Sequence, residues 1–195
     1  MIKNFKQDLE VEPLNHVAQR WIIDRTPYVF NNDQIAYVNW KASLANAIGV
    51  DGKAIIFIGS ASIGFSLNPT KSYRVYNESS DIDIAIVSRH HFEIAWHTIR
   101  NLGTLRHTLN SPQSRSLEDH RNRLIYWGTF DTKHLLPKLP FGKQWFETFE
   151  QMTSIAPTKD REINARIYRD FESLTDYHVS NLSKLREKLT KPPTQ

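Results

Sequence analysis

The stretch IIFIGSASIGFSLNPTKSYRVYNESSDIDIAIVS, residues 55–88, decides the fold prediction. Both of its ends are apolar and rich in isoleucine, so they predict two buried strands, over 54–58 and 81–88. Between them lie a Gly-Ser pair, a segment that favours a short helix, and a polar loop that begins at an Asn-Pro pair. The stretch therefore predicts two strands separated by a short helix and a long loop.

The second predicted strand carries two carboxylates. Because successive side chains in a strand alternate between faces, Asp81 and Asp83 share a face and lie about 7 Å apart, while Ile82 points the other way. Two carboxylates this close repel each other, and a raised pKa, a basic partner or a metal cation relieves the repulsion. One interpretation is a strand end whose aspartates face water or pair with arginine. The other is a cation site.

A Gly59-Ser60 turn follows the first predicted strand. Glycine lets the backbone approach a phosphate closely, the amides at a helix N-terminus bind anions, and the serine hydroxyl adds a donor. Mg²⁺ prefers one or two carboxylates together with phosphate oxygens of a substrate. The combination therefore predicts a phosphate-binding turn beside a divalent-cation site, where a metal can align a nucleophile with a leaving pyrophosphate.

These features resemble the nucleotidyltransferase superfamily, which has a polymerase-β-like fold. The resemblance rests on Gly59-Ser60 and on the S-D-I-D segment Ser80 to Asp83, and it covers roughly residues 50–130. It implies an enzyme that uses Mg²⁺ (or Mn²⁺) to transfer a nucleoside monophosphate from a nucleoside triphosphate to an acceptor. In that family the D-x-D aspartates bind the metal and Gly-Ser holds the triphosphate. The expected catalytic metal ligands are therefore Asp81 and Asp83, and the expected nucleotide-binding residues include Gly59, Ser60 and Ser80.

Active members of that family usually carry a third carboxylate on a later strand. We predict this strand over RLIYWGTF, residues 123–130, next to the Asp-bearing strand. Asp131, at its end, is the first candidate for the third catalytic carboxylate, and Glu118 and Asp119 precede the strand. If none of them serves, the alternative is an inactive module of the same fold that binds a nucleotide or nucleic acid and regulates a partner.

Two further parts of the chain are implied to approach the nucleotide. In several members of the family a C-terminal helical region completes the nucleotide pocket, which would bring Lys184 and Arg186 within reach of a phosphate. The long loop carries Tyr73, Arg74 and Tyr76, which form either a lid over the nucleotide or a plain surface loop.

Helical patterns flank the predicted strands. Asn31 or Asn32 is expected to cap an N-terminal helix whose buried face includes Ile35 and Val38, with further positions at Ala42, Ala45 and Ile48. A second helix fits residues 90–102. One long helix fits residues 160–189, because its apolar residues keep the helical period and neither proline nor glycine interrupts them.

The predicted architecture is α+β: a small mixed sheet with an N-terminal helix and a long C-terminal helical region, 159–190. The 195 residues suffice for a single domain, 1–195, and the 39% of hydrophobic residues excludes wholesale disorder. The chain has no cysteine, which excludes disulfides, cysteine zinc sites and cysteine nucleophiles.

Charge and hydropathy bear on location and partners. No apolar run approaches the roughly 18 residues that span a bilayer, and the first residues do not resemble a signal peptide, so we expect a cytoplasmic protein with no membrane partner. The net charge is +4, and residues 100–143 hold eight Lys or Arg against three acids. This excess favours RNA as the acceptor over a protein hydroxyl, a second nucleotide or a small molecule. The resemblance also suggests a toxin–antitoxin or phage-defence setting.

Overall fold

Four strands form one mixed sheet in the computed structural model, which describes residues 1–190; the last five residues of the predicted domain lie outside the described part. The strands are β1 (Ile55–Ile58), β2 (Ile82–Val87), β3 (Thr129–Asp131) and β4 (Ile163–Tyr168). Their spatial order is β1-β2-β4-β3, with only β2 and β4 parallel. The predicted α+β class and the mixed character of the sheet are confirmed.

Helices pack on both faces of this sheet. Within the described residues the α-helices are α1 (Ile2–Val11), α2 (Leu14–Ala18), α3 (Gln34–Ile48), α4 (Gly59–Ile63), α5 (Arg89–Leu102), α6 (Ser111–Asp119), α7 (Gly142–Met152) and α8 (Phe171–Thr190). One apolar layer joins the sheet to α3, α5 and α7, and a second joins it to α1, α2 and α8. No helix in residues 1–190 is both long and apolar enough to cross a membrane.

The alternation predicted for β2 is confirmed. Ile82, Ile84 and Ile86 are fully buried in the layer under α3, α5 and α7. The intervening positions face α8, where Ala85 joins the second apolar layer and Asp83 is half-buried. One face of β2 is therefore wholly apolar, and the other carries a carboxylate into the space beneath α8.

The prediction of one helix over 160–189 is wrong. Residues 163–168 form β4, which pairs with β2 on one side and β3 on the other, and the helix begins only at Phe171. Ile163 and Ile167 fit the helical spacing, but with Ala165 they also fit the two-residue period of a strand. The Asp170 side chain, which accepts a hydrogen bond from the Ser173 amide at 2.7 Å, marks the true start of α8.

The strand predicted over 123–130 is also largely wrong. Residues 120–127 continue α6 as irregular helical turns that end at Gly128, which has a left-handed backbone with φ of 60°. Only Thr129–Asp131 is extended, and it pairs with β4 and not with the Asp-bearing β2. Aromatic and β-branched residues favoured a strand here, but the tertiary packing of the turn overrides that preference.

The N-terminal boundary and buried face of α3 differ from the prediction. The cap is Asp33, whose carboxylate accepts a hydrogen bond from the Ala36 amide at 2.9 Å. Ile35 and Val38 are 76% and 49% exposed, because the helix buries a stripe of larger side chains at Tyr37, Trp40 and Leu44. Ala42, also predicted on the buried face, is exposed, whereas the predicted burial of Ala45 and Ile48 is confirmed.

Candidate functional site

A cavity of about 780 Å³ lies between the sheet and α8. The ends of the strands form its floor, and α4, the loop after α4, and α8 form its walls. Residues far apart in sequence meet here. Among the predicted site residues, those that line the cavity are Gly59, Ser60, Asp81, Asp83, Asp131 and Lys184.

Strand register places the polar groups of the floor side by side. Asp83 pairs with Ile58 of β1 and with Asn164 of β4, and Arg166, two positions after Asn164, pairs with Asp131 of β3. Side chains at paired positions of neighbouring strands project from the same face. A polar row therefore crosses the sheet on the face that α8 covers.

Gly59 allows the turn after β1 to approach the carboxylate of Asp83. Its φ is 64°, and a Cβ atom at this position would lie 2.7 Å from Oδ2 of Asp83. A side chain would therefore be strained in its backbone and would also collide with the carboxylate. Glycine at this position brings the predicted phosphate-binding turn and a predicted metal ligand into contact.

Asp83 is electrostatically strained in its ionised form. Burial raises its pKa to about 6, the neighbouring Asp81 and Asp131 carboxylates add to the rise, and Arg166 and Lys133 oppose it. Asp81 is exposed at the mouth of the cavity. A divalent cation between Asp81 and Asp83 would stabilise the ionised form, so these donors fit Mg²⁺ or Mn²⁺.

Asp131 is held by other groups of the protein. Its Oδ2 accepts a hydrogen bond from Nη2 of Arg166 at 2.5 Å, and its Oδ1 accepts one from the Lys133 amide at 3.0 Å. Burial raises the pKa of this carboxyl, but the Arg166 guanidinium outweighs it and keeps the pKa below its usual value. Arg166 also donates to the Tyr177 hydroxyl at 2.6 Å. The candidate third carboxylate is therefore an ionised partner of a fixed arginine.

A buried histidine supports Asp131 from the edge of the sheet. The Asp131 amide donates to Nε2 of His120 at 3.0 Å, and Nδ1 of His120 lies 2.6 Å from the Ser116 carbonyl oxygen. Because an amide can only donate, His120 is neutral with its proton on Nδ1. Burial lowers its pKa and favours this form. No sequence pattern had singled out His120.

Two polar residues of the cavity, Asn164 and Arg166, were missed because the sequence predicted a helix over their segment. Asn164 and Arg166 belong to β4, and Tyr177 and His178 face the cavity from the second turn of α8. Burial and the nearby Arg166 lower the pKa of His178 to about 3, so its imidazole is neutral. The alternating pattern of INARIY was the available signal for β4.

Ser80 and Arg186, two of the residues expected near the nucleotide, have other contacts. Ser80 is buried, and its hydroxyl accepts a hydrogen bond from the Asn77 amide at 3.1 Å instead of lining the cavity. Arg186 donates to the carbonyl oxygens of Leu9 and Glu12 at the end of α1. Arg186 therefore joins α8 to α1 and does not point toward a phosphate.

The predicted lid packs away from the cavity. Tyr73 contacts Phe5 and Phe65, and Tyr76 contacts Tyr28, in edge-to-face or tilted arrangements. The part of the loop that lines the cavity is the earlier one, from Ser66 to Lys71.

The basic stretch is partly neutralised. Arg106 and Arg121 pair with Glu118, and Arg123 pairs with Asp119 through two hydrogen bonds of 3.1 and 2.8 Å. Three of the eight basic residues of the stretch 100–143 therefore have acidic partners on or beside α6.

Asp81 and Asp83 do not form a complete metal site by themselves. Within residues 1–190 no three or more His, Asp and Glu side chains cluster so that they could hold a metal ion by themselves. The Asp81 and Asp83 pair would need oxygens from a substrate to complete a coordination shell. The chain matches no protein-family model, no curated protein and no solved structure.

Proposed function

We propose that the cavity binds a nucleoside triphosphate with Mg²⁺ and that the chain is a nucleotidyltransferase. The observation that carries this proposal is the amphipathic lining of the cavity. Carboxylates, lysines and the Gly-Ser turn line it together with aliphatic side chains. A nucleotide needs both kinds of partner, because an anionic phosphate chain is joined to a flat aromatic base.

The polar residues of the cavity lining suit a metal-bound triphosphate. Asp81 and Asp83 supply the carboxylates that Mg²⁺ prefers, and the metal adds phosphate oxygens to its shell. The amide and hydroxyl of Ser60 lie on the same turn and can donate to a phosphate. Cations at the rim offset the remaining charge; they are Lys71, Lys133, Lys184 and Lys188.

The aliphatic residues of the cavity lining suit the nucleobase. These side chains come from the turns after α2, from α4 and its following loop, and from α8; they are Ile22, Ile63, Leu67, Leu182 and Leu185. Tyr177 and His178 line the same cavity and offer flat polar surfaces. Burial of a base against these groups would orient the phosphate chain toward Asp81 and Asp83.

The residues have distinct tasks in the proposed reaction. Mg²⁺, when bound, polarises the phosphate and neutralises charge on the leaving pyrophosphate. Asp81 and Asp83 hold the metal, and Gly59 and Ser60 hold the phosphate chain. An acceptor hydroxyl bonds to the α-phosphorus, the bond from the α-phosphorus to the bridging oxygen breaks, and pyrophosphate leaves. Asp131 lines the same cavity and is the residue that accepts the hydroxyl proton, which requires Arg166 to release one of its oxygens.

The experiment that tests this function is incubation with labelled triphosphates and Mg²⁺, followed by measurement of pyrophosphate release. RNA 3′ ends, a protein hydroxyl and a second nucleotide are offered as acceptors in separate reactions. We expect release with wild type and none with Asp83→Asn. Release that survives in Asp83→Asn would contradict the proposal.

The second candidate is a nucleotide-binding regulator without turnover. It is favoured by the ion pair that occupies Asp131, because a carboxylate bound to Arg166 is a poor metal ligand and a poor proton acceptor. This candidate predicts triphosphate binding that depends on Mg²⁺ and on Asp83, with no pyrophosphate released for any acceptor. The same assay, run beside a binding measurement, therefore separates the two candidates.

A further inference from the structure

Arg161 holds the backbone in front of Asp81. A single nitrogen of its guanidinium, Nη1, shares its two N–H groups among three carbonyl oxygens: those of Asn77 at 2.8 Å, Glu78 at 2.9 Å and Ser80 at 3.0 Å. Hydrogen bonds that involve a charged partner are the stronger ones in proteins. One side chain, two residues before β4, therefore binds three carbonyl oxygens of the turn that leads into β2.

Asp81 is pinned on its other side by the residue next to Arg161. The amide of Ile82 donates to the Glu162 carbonyl oxygen at 2.8 Å. The backbone of Asp81 thus lies between Ser80, held by Arg161, and Ile82, held by Glu162. Its exposed carboxylate is carried on a backbone with little freedom.

The segment that Arg161 holds also has bonds of its own. The Ser80 amide donates to the Asn77 carbonyl oxygen at 3.0 Å, and the Asn77 amide donates to the Ser80 hydroxyl at 3.1 Å. These bonds close a turn, and the guanidinium joins that turn to β4. Without Arg161 the turn could move as a unit and take Asp81 with it.

Arg161 itself is anchored to the core. Its guanidinium carbon lies 5.0 Å from the ring centre of Tyr76, and its amide donates to the Thr158 carbonyl oxygen at 3.2 Å. Thr158 is fully buried, and its hydroxyl accepts a hydrogen bond from the Trp40 indole at 2.9 Å. A continuous set of contacts therefore runs from α3 through Thr158 and Arg161 to the backbone of Asp81.

We propose that Arg161 is a positioning residue that fixes Asp81 beside Asp83 for divalent-cation binding. The inference rests on the proposed function, because it takes these two aspartates as the metal ligands. An exposed carboxylate on a mobile loop would lose conformational freedom when it binds a cation, and a fixed backbone removes most of that cost. Loss of a group that orients a metal ligand commonly weakens metal affinity about 10- to 100-fold.

The test measures two properties of the same variants: Mn²⁺ affinity in the presence of a non-hydrolysable triphosphate, and hydrogen exchange of the backbone amides of 77–83. The variants are Arg161→Ala and Arg161→Lys. The matched control is Arg186→Ala, which also removes a guanidinium bound to backbone carbonyls but at α1. Arg161→Ala is measured again with millimolar guanidinium ion, which can refill the vacated position.

We expect Arg161→Ala to bind Mn²⁺ about 10- to 100-fold more weakly and to exchange faster over 77–83. Arg161→Lys should give a smaller defect, and guanidinium ion should restore part of the affinity. Arg186→Ala should leave both properties unchanged. If Arg161→Ala does not fold, the test compares Arg161→Lys with wild type in Mn²⁺ affinity and in hydrogen exchange over 77–83.

Unchanged exchange over 77–83 in a folded Arg161 variant would overturn the proposal, whatever the metal does. Faster exchange with wild-type Mn²⁺ affinity would also overturn it, since the segment would then be held for another reason. Wild-type protein that fails to bind Mn²⁺ with any triphosphate would overturn both the proposed function and the positioning role. The failure of the inference alone is thus distinct from the failure of the function.

Discussion

Gly59 lies so close to Asp83 that a Cβ atom on residue 59 would come within 2.7 Å of Oδ2 of the carboxylate. The turn that ends β1 and the carboxylate of β2 therefore form one unit, and a change in either moves the other. Sequence separates these two residues by a long loop, but antiparallel pairing of Ile58 with Asp83 brings them together.

Gly59→Ala should damage both stability and the proposed site. The backbone at φ 64° disfavours alanine by roughly 1 kcal/mol, and the collision with Asp83 adds to this. We expect a lower melting temperature and loss of the stabilisation by Mg²⁺ with triphosphate. Gly49→Ala is the matched control, because Gly49 has φ of 73° but no heavy atom within 4 Å of an added Cβ. Equal loss of ligand stabilisation in both variants would contradict the close-contact explanation.

Asp83→Asn should stabilise the ligand-free protein at neutral pH. The folded pKa of about 6 exceeds the ordinary aspartate pKa of 3.8, so between these two pH values the folded state holds a proton that the unfolded state has lost. Ionisation of Asp83 therefore costs about 3 kcal/mol well above pH 6, and almost nothing below pH 4. Urea unfolding at pH 8 and pH 4 measures this difference. Asp81→Asn is the control, because it removes a carboxylate from the same face of the strand. If Asp83→Asn raised the free energy of unfolding equally at pH 4 and pH 8, the electrostatic cause would be ruled out.

His178 should make the protein less stable in mild acid. Its pKa of about 3 in the folded state lies below the ordinary histidine pKa of 6.5, so the unfolded state takes up a proton first as the pH falls. Stability is full above pH 6.5 and falls by about 2 kcal/mol at pH 5. Because protonation of Asp83 has the opposite sign in this range, the measurement is made in an Asp83→Asn background. In that background, adding His178→Gln should make the free energy of unfolding nearly independent of pH between pH 7 and pH 5. If the pH dependence persisted, groups other than His178 would be its cause.

Removing Arg166 from its ion pair with Asp131 should lower the free energy of unfolding more than replacing Asp131 does. Arg166→Met leaves Asp131 partly buried without its main partner, and we expect a loss of about 3 kcal/mol. Asp131→Asn keeps a hydrogen-bond acceptor for Arg166 and should cost less. Unfolding of both single variants and the double variant gives the coupling energy directly. Additive losses would show that the two residues are not energetically coupled.

Ser60→Ala should weaken the binding of every nucleoside triphosphate by a similar factor. The hydroxyl would donate to a phosphate, and a hydrogen bond to a charged group contributes about 1.5–3 kcal/mol. Ser62→Ala is the matched control on the same short helix, since the Ser62 hydroxyl is buried and finds no hydrogen-bond partner within residues 1–190. A loss confined to one base would place Ser60 at the base instead of the phosphate.

Local sequence patterns predicted those helices and strands whose hydrophobic pattern allows only one interpretation. β1, β2 and α5 were found within one or two residues of their observed bounds, because a short run of isoleucines and a clear helical stripe each allow one interpretation. The positions of Gly59, Ser60, Asp81 and Asp83 along one cavity also followed from the order of those elements. Their role in binding a nucleotide and a metal stays a prediction.

Contacts between distant segments escaped the sequence analysis. The segment 163–168 fits both a helix and a strand, and the choice depends on β2 and β3, which lie far away in the chain. Arg166 could not be matched to Asp131 without that choice, and neither could Arg161 be matched to the carbonyls before Asp81. These polar contacts depend on strand register, which no local pattern specifies.

The late position of β4 in the chain determines when the site can assemble during synthesis. β4 is the last of the four strands in residues 1–190, yet it lies inside the sheet: Ile82 pairs with Ile163, 81 positions later. Until then β2 has only β1 beside it and β3 has no strand to pair with. Pairing across so long a loop is slow compared with the formation of local helices. A chain that stalls or is cleaved before residue 161 thus lacks Arg161 and the part of the cavity floor that β4 supplies, and only a polypeptide that extends through β4 and α8 acquires the site.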